Sequence, residues 1–229
     1  MEFKNFTYLI ILVLSIAVPL ALSFDKKVQY YKNLKYILPA IGLTAAIFIM
    51  WDINFTHLRI WGFNPEYVIG KDLAGLPIEE WLFFIVIPYS CVFVYEVLKF
   101  YFKKYEYANP FLAFSLFLIV GFALMTYFFR HQAYTFLTFL FSTVYLTYTV
   151  FRNRFKQHIT KFYFAYLVSL VPFIVVNGIL TSLPVVEYNS AHILNIRFIN
   201  IPVEDFSYFF LMLLMITTIY ESLKERKLY

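Results

Sequence analysis

The chain is predicted to be an all-α polytopic membrane protein with about seven transmembrane helices, and three observations predict it. Of its 229 residues, 62% are hydrophobic and 23% aromatic, with mean hydropathy +0.70. Only 14% are charged, whereas about a quarter of the residues in a soluble domain carry charge. Those charges gather in clusters between long apolar runs, as expected when helices cross a bilayer and loops do not. The net charge of +5 then sets topology and does not mark a nucleic-acid partner. The single cysteine, Cys91, lies inside an apolar run, which excludes a disulfide framework or a cysteine metal site.

The runs place spans at roughly 6–24, 36–51, 81–98, 110–129, 133–151, 162–181 and 205–221. The first resembles a signal peptide in having Ala21 and Ser23 near its end. Its apolar run is nevertheless longer than the ~7–15 residues of a signal core, and its basic cluster follows it, so it reads as a true helix. The second is short for a bilayer that needs ~20 residues and is expected to borrow from its flanks. Fourteen basic residues fall on one side of these spans: Lys26, Lys27, Lys32, Lys35, Lys99, Lys103, Lys104, Arg152, Arg154, Lys156, Lys161, Lys224, Arg226 and Lys227. Five fall opposite: Lys4, Arg59, Lys71, Arg130 and Arg197. The positive-inside rule puts the N-terminus outside and the C-terminus inside, and the expected location is a prokaryotic cytoplasmic membrane.

One short stretch, Leu76-Pro77-Ile78-Glu79-Glu80-Trp81, opens the third span. It returns 125 positions later as Ile201-Pro202-Val203-Glu204-Asp205-Phe206, opening the seventh. The same offset carries Tyr95-Glu96 onto Tyr220-Glu221, Leu98-Lys99 onto Leu223-Lys224, Asn64 onto Asn189, and span 6–24 onto 131–149. The expected organisation is a parallel repeat of three helices, one linker helix and three helices. Its parts are a first repeat at 1–104, a linker at 105–130 and a second repeat at 131–229.

A proline in the first turn costs a helix nothing, and acids there face the positive end of the helix dipole. One such stretch would be a stable helix start. Two of them, each with paired acids at a membrane interface, point to chemistry, because ionisable groups at that depth are costly and usually functional. Glu79, Glu80, Glu204 and Asp205 are therefore the candidate catalytic residues, with Glu79 and Glu204 foremost. Neighbouring acids in unlike surroundings can serve as proton donor and as base or cation-stabilising carboxylate. Glu96 and Glu221 read instead as partners of surface ion pairs. The stretch Trp51-Asp52-Ile53-Asn54-Phe55-Thr56, with Trp61-Gly62-Phe63-Asn64-Pro65, reads as an aromatic loop before the first motif. Trp51 and Trp61 suit interfacial anchoring and cation–π stabilisation equally well, and Trp81 and Phe206 stand directly behind the acids.

These residues carry a resemblance. The run from Trp51 to Glu96, with Phe63-Asn64-Pro65, Leu76 to Trp81 and Ile87-Pro88-Tyr89, resembles the integral-membrane lycopene cyclase domain, whose Pro-x-Glu-(Glu/Asp) motif occurs here at Pro77–Glu80 and Pro202–Asp205. The resemblance is stronger in the first half; the loop from Asn177 to Asn200 keeps little beyond Asn189. It implies cyclisation of the ψ ends of lycopene to β-ionone rings by proton addition and proton loss, with an apolar carotenoid as substrate and the bilayer as surroundings. No cofactor and no metal are implied, and Pro77, Pro202 and Asn64 serve as motif and structural residues. Homo-oligomers or association with other carotenoid enzymes are left open. The flavoprotein type of lycopene cyclase is excluded, since no G-x-G-x-x-G occurs. An ε-ring or longer-chain cyclase remains an alternative. So does a small-solute transporter of the SWEET layout, although Pro19, Pro39 and Pro172 are not duplicated by the offset. His57, His131, His158 and His192 are too scattered for a di-iron site.

Overall fold

The computed structural model describes residues 2–152 and 155–226, so Arg154 and Lys227 of the basic set lie outside the described residues. Seven helices account for the apolar runs: α1 Thr7–Leu22, α2 Leu34–His57, α3 Ile78–Tyr101, α4 Ala108–Phe128, α5 Ala133–Phe151, α6 Ile159–Ser182 and α7 Val203–Glu225. All seven are long and apolar enough to cross a membrane, where only a backbone that satisfies its own hydrogen bonds is tolerated. Helix α7 packs on α2, α3 and α5, and α3 packs on α1, α2 and α6, so these two form the centre. Helix α4 lies against α5 and α6 and leaves most of its surface facing outward.

The second helix corrects the sequence reading. Trp51 to Thr56 is not a loop but the last part of α2, which reaches 24 residues by taking on both flanks. The polarity that argued against a helix is buried inside the bundle: Asp52 is 3% exposed, and its Oδ1 accepts the Tyr208 hydroxyl at 2.8 Å.

Six short strands gather at one end: β1 Trp61–Phe63, β2 Asp72–Leu73, β3 Leu76–Pro77, β4 Val186–Tyr188, β5 Arg197–Phe198 and β6 Ile201–Pro202. Strand β2 turns into β3 through Ala74-Gly75, with φ of 53° and 82°. Strand β5 turns into β6 through Ile199-Asn200, with φ of 47° and 64°. Paired positive φ values mark the tight turn whose twist suits a two-residue hairpin. Each hairpin ends in a proline that caps the following helix in extended conformation, Pro77 at φ −55° and Pro202 at φ −57°. The prolines thus stand one residue before their helices and not within the first turn.

Several bounds recur at the 125-residue spacing, among them α2 with α6, β1 with β4, and the starts of α3 and α7. Strands β1 and β4 pair antiparallel with Trp61 opposite Tyr188, Gly62 opposite Glu187 and Phe63 opposite Val186. That register is the one a two-fold axis between Gly62 and Glu187 would produce. For the first helix the equivalent donors fall 126 apart and their acceptors 125: Tyr8 N–H donates to Tyr67 O at 3.2 Å, and Tyr134 N–H to His192 O at 3.0 Å.

At the opposite end, Glu96 and Glu221 are not surface residues. Their side chains are 8% and 4% exposed, because the ion pairs cross between α3 and α7. Lys99 bonds Glu221, and Lys224 bonds Glu96 at 3.3 Å. Tyr95 adds a bond to Glu221 at 2.8 Å, and Asn33 adds one to Glu96 at 2.9 Å. The expected pairing within α3 is the looser contact, with Lys99 3.9 Å from Glu96.

Candidate active site

The hairpins place the acids. Ile78 N–H donates to Lys71 O at 2.9 Å, and Val203 N–H to Ile196 O at 3.1 Å, so each helix leaves its hairpin in a fixed direction. The two acids of each motif then diverge, since neighbouring helical residues project about 100° apart.

Glu79 and Glu204 turn toward the loops and are 0% exposed. Glu79 Oε1 accepts Ile69 N–H at 2.7 Å, and Glu204 Oε1 accepts Leu194 N–H at 2.7 Å and the Thr135 hydroxyl at 2.6 Å. Their Oε2 atoms have no hydrogen-bond partner among the described residues. A buried carboxylate holding a backbone N–H fixes the loop through a charge-assisted bond.

Glu80 and Asp205 turn the other way, 6% and 3% exposed, and line one cavity of about 70 Å³. Both motifs thus converge on a single space. Glu80 Oε2 accepts the Tyr8 hydroxyl at 2.6 Å, and its carboxyl meets that of Asp52 within hydrogen-bonding range. Asp205 is held differently: Oδ1 accepts Tyr134 at 2.7 Å, while Oδ2 accepts Tyr188 at 2.8 Å and the Asn177 amide at 3.3 Å. Asn177 occupies the place, 125 positions on, that Asp52 has beside Glu80. Tyr188 lies outside the spanning helices, and burial, followed by the charge of Asp205, pushes its hydroxyl well above the ordinary phenol range. It stays a donor.

The remaining candidates are dispersed. Trp61 lines the cavity and packs on Tyr134 at 5.0 Å between ring centres. Trp51 lies behind the wall, 5.2 Å from Tyr208, and faces a different groove. Trp81 donates its indole N–H to Leu73 O at 3.1 Å and so ties α3 to its hairpin. Phe206 packs on Phe173 and Phe198 and does not line the acid cavity. Asn64 organises the loop: its Oδ1 accepts Glu66 N–H at 3.0 Å, and its N–H donates to Val185 O at 3.0 Å.

Six polar cavity residues escaped the sequence reading: Tyr8, Asp52, Tyr134, Asn177, Tyr188 and Tyr208. Asp52 carried a signal, being an acid in an apolar run that a longer second span would have embedded. The tyrosines carried none, as four among twenty.

Three curated fungal proteins, each named a bifunctional lycopene cyclase/phytoene synthase, are similar over part of the chain. The Neurospora crassa protein is 34% identical over 58 residues, 25% of this chain and 9% of its own. That of Leptosphaeria maculans is 33% identical over 73 residues, 32% of this chain and 12% of its own. That of Aspergillus oryzae is 41% identical over 58 residues, 25% of this chain and 10% of its own. The matched stretches thus span about a tenth of those relatives. No solved structure matches the chain. The family model described as lycopene cyclase matches residues 5–98 and 131–223, more than half of the sequence and including both acid motifs, and the chain belongs to that family.

Proposed function

We propose that the protein is a lycopene cyclase that closes β-ionone rings on the ψ ends of lycopene by proton-initiated isomerisation. The observation that carries this reading is the pair of unlike carboxyl sites on one aromatic cavity, Asp52–Glu80 on one wall and Asp205 on the other. A carboxylate only accepts hydrogen bonds, so two carboxyls in hydrogen-bonding contact need a proton between them. Asp205 already accepts from three neutral donors, an arrangement that suits the ionised form. Glu80, backed by Asp52, is accordingly the proton donor, and Asp205 is the carboxylate that steadies the cation and takes the final proton.

The step balances without electrons. The Glu80 proton adds to the terminal double bond and leaves a tertiary carbocation. The neighbouring double bond attacks that centre, forming the ring C–C bond and moving the positive charge into the ring. Loss of a ring proton to Asp205 restores the double bond; Asp205 gives that proton up to solvent and a proton from water refills Asp52–Glu80, which resets the site. Trp61, Phe63, Phe83 and the four tyrosines line the cavity in which the cation would form, where aromatic rings can stabilise it. General acid–base chemistry of this kind typically contributes 10²–10⁴-fold. Glu79 and Glu204 position the loops beside the cavity in this reading.

The recurring bounds and the β1–β4 register support a duplicated chain, with first and second repeats at 1–104 and 131–229 around a linker at 105–130. The basic bias supports a C-terminus inside and the acid cavity toward the outer face of the membrane. A reporter active only in the cytoplasm tests the topology, working after Tyr229, which lies outside the described residues, and failing near Lys71. The opposite pattern reverses it. The activity is tested by expression in lycopene-accumulating cells with pigment chromatography. A product of lycopene's mass and shorter-wavelength absorption is expected, and unchanged lycopene with the protein in the membrane rejects the reading.

A further inference from the structure

Of the large apolar grooves between the helices, one of about 440 Å³ among α4, α6 and α7 shares no described lining residue with the acid cavity, and two others form a pair. One, of about 460 Å³, runs between α1, α3 and α6; the other, of about 550 Å³, runs between α2, α5 and α7. They occupy equivalent places at the 125–126 spacing, and size does not distinguish them. Continuity with the acids does. The first groove shares Phe83, Phe173, Asn177 and Phe209 with the acid cavity, whereas the second shares none of its described lining residues with it.

The cause lies in side-chain bulk at matching positions. Trp51 in the second groove stands where the first has Val176, Phe141 where the first has Ser15, and Met215 where the first has Ser90. Phe48, Trp51 and Phe55 form a wall between the second groove and the cavity, packed on Tyr208 at 4.8 and 5.2 Å and on Trp61 at 4.8 Å. In the first groove the hydroxyl of Ser90 turns onto Ser15 O and Val86 O, which leaves that part of the lining apolar. From Phe83 to Val94 the groove follows α3 for roughly 16 Å, and Val18 and Val175 on its rim face outward where lipid would lie.

We propose that the groove between α1, α3 and α6 is the binding site of the polyene chain, and that both ends of one molecule enter by it in turn. This deepens the cyclase reading and rests on it. A single entry and a single acid cavity mean that the monocyclic product must withdraw and return with its other end foremost. The second groove is closed to the acids and takes no part.

Tryptophan placed in either groove tests this in lycopene-accumulating cells, with membrane-bound protein quantified. Val176→Trp installs the wall that the second groove already has, and Val18→Trp obstructs the exposed rim with little demand on packing. Both are expected to lower cyclised product about tenfold or more, with the residue enriched in the monocyclic form, whereas Val144→Trp and Ile47→Trp stay within about twofold of the parent. Equal loss from the two grooves, or full activity of both first-groove variants, overturns the proposal. A binding measurement separates it from the reaction. In a Cys91→Ser background, lycopene should protect Val175→Cys from a maleimide and leave Met50→Cys exposed. Protection in membranes that make no rings would keep the binding site and reject the cyclase reading. Cyclisation without protection at Val175→Cys would keep the cyclase reading and reject the binding site.

Discussion

Asp52 on α2 and Glu80 on α3 meet carboxyl to carboxyl at the wall of the cavity, each also accepting a tyrosine hydroxyl, Tyr208 on Asp52 and Tyr8 on Glu80. At the matching place on the opposite wall, Asn177 donates its amide to Asp205. Exchanging one carboxyl for an amide changes what the site can do: a carboxyl pair stores a proton, while an amide–carboxylate pair stabilises a charge. In the proposed reading the two halves supply complementary functions to the one cavity that Glu80 and Asp205 both line.

Glu80→Gln should abolish ring formation, a loss of at least ~10²-fold, because the amide keeps the Tyr8 contact but has no acidic proton. Asp52→Asn gives Glu80 the same kind of neighbour that Asp205 has. It should lower turnover by ~10-fold or more and change the pH profile, since the proton is no longer shared. Product per unit of membrane-bound protein, followed across pH, checks both. A Glu80→Gln protein of full activity would remove Glu80 from the chemistry.

Glu79→Gln and Glu204→Gln should act on stability before chemistry. Each glutamate is fully buried and holds a loop N–H, and the amide still accepts through its carbonyl oxygen. Replacing a charge-assisted bond by a neutral one is expected to cost about 1 kcal/mol. Thermal unfolding in detergent should show the loss, with ring formation per folded molecule largely kept. Loss of activity in a protein of unchanged stability would return these residues to the reaction.

The crossed ion pairs at the far end lead to a third expectation. Glu96→Gln leaves Lys224 without its carboxylate partner, held only by the Tyr220 hydroxyl, in a network that also holds Asn33, and Glu221→Gln strips bonds from both Lys99 and Tyr95. The lysines are about a third exposed, which tempers the ~3–5 kcal/mol typical of a broken buried pair. A destabilisation of about 1–3 kcal/mol is expected, larger for Glu221→Gln, with the double variant less than additive. Melting of single and double variants checks it; shifts within error would return Glu96 to a surface role.

Much of this architecture was readable before the fold was known, and the exceptions share a cause. Apolar runs marked the helices because the bilayer demands length and hydropathy, and the acid motifs stood out because they occur twice. Asp52 was misplaced because its polarity was read as solvent-seeking, although Tyr208, 156 positions away, satisfies it inside the bundle. Which direction each acid of a motif faces was equally out of reach. Glu79 and Glu80 differ by one residue in sequence and by which face of α3 they occupy, and that face is set by the hairpin before the helix. The hairpins announced themselves weakly, since Ala74-Gly75 and Ile199-Asn200 each carry only half of the usual turn signal.

The origin of the added proton distinguishes acid–base cyclisation from any redox route. If Glu80 starts the reaction, its proton exchanges with water between turnovers, because the Asp52–Glu80 pair must be refilled each time. Cyclisation in deuterated water should then place one solvent deuterium on each new ring, at the carbon first protonated, and two on a bicyclic product. Asp205 removes a different hydrogen, one that belonged to the substrate, so the label is retained. The product formed in deuterated water should be heavier than lycopene by one mass unit per ring, as mass spectrometry would show, and no oxidant or reductant should be consumed. Asp52→Asn should leave the position of the label unchanged while slowing its incorporation, since the donor is still Glu80. Rings formed without deuterium, by enzyme whose acidic protons have been shown to exchange, would rule out Glu80 as the initiating acid and the carboxyl pair as its reservoir.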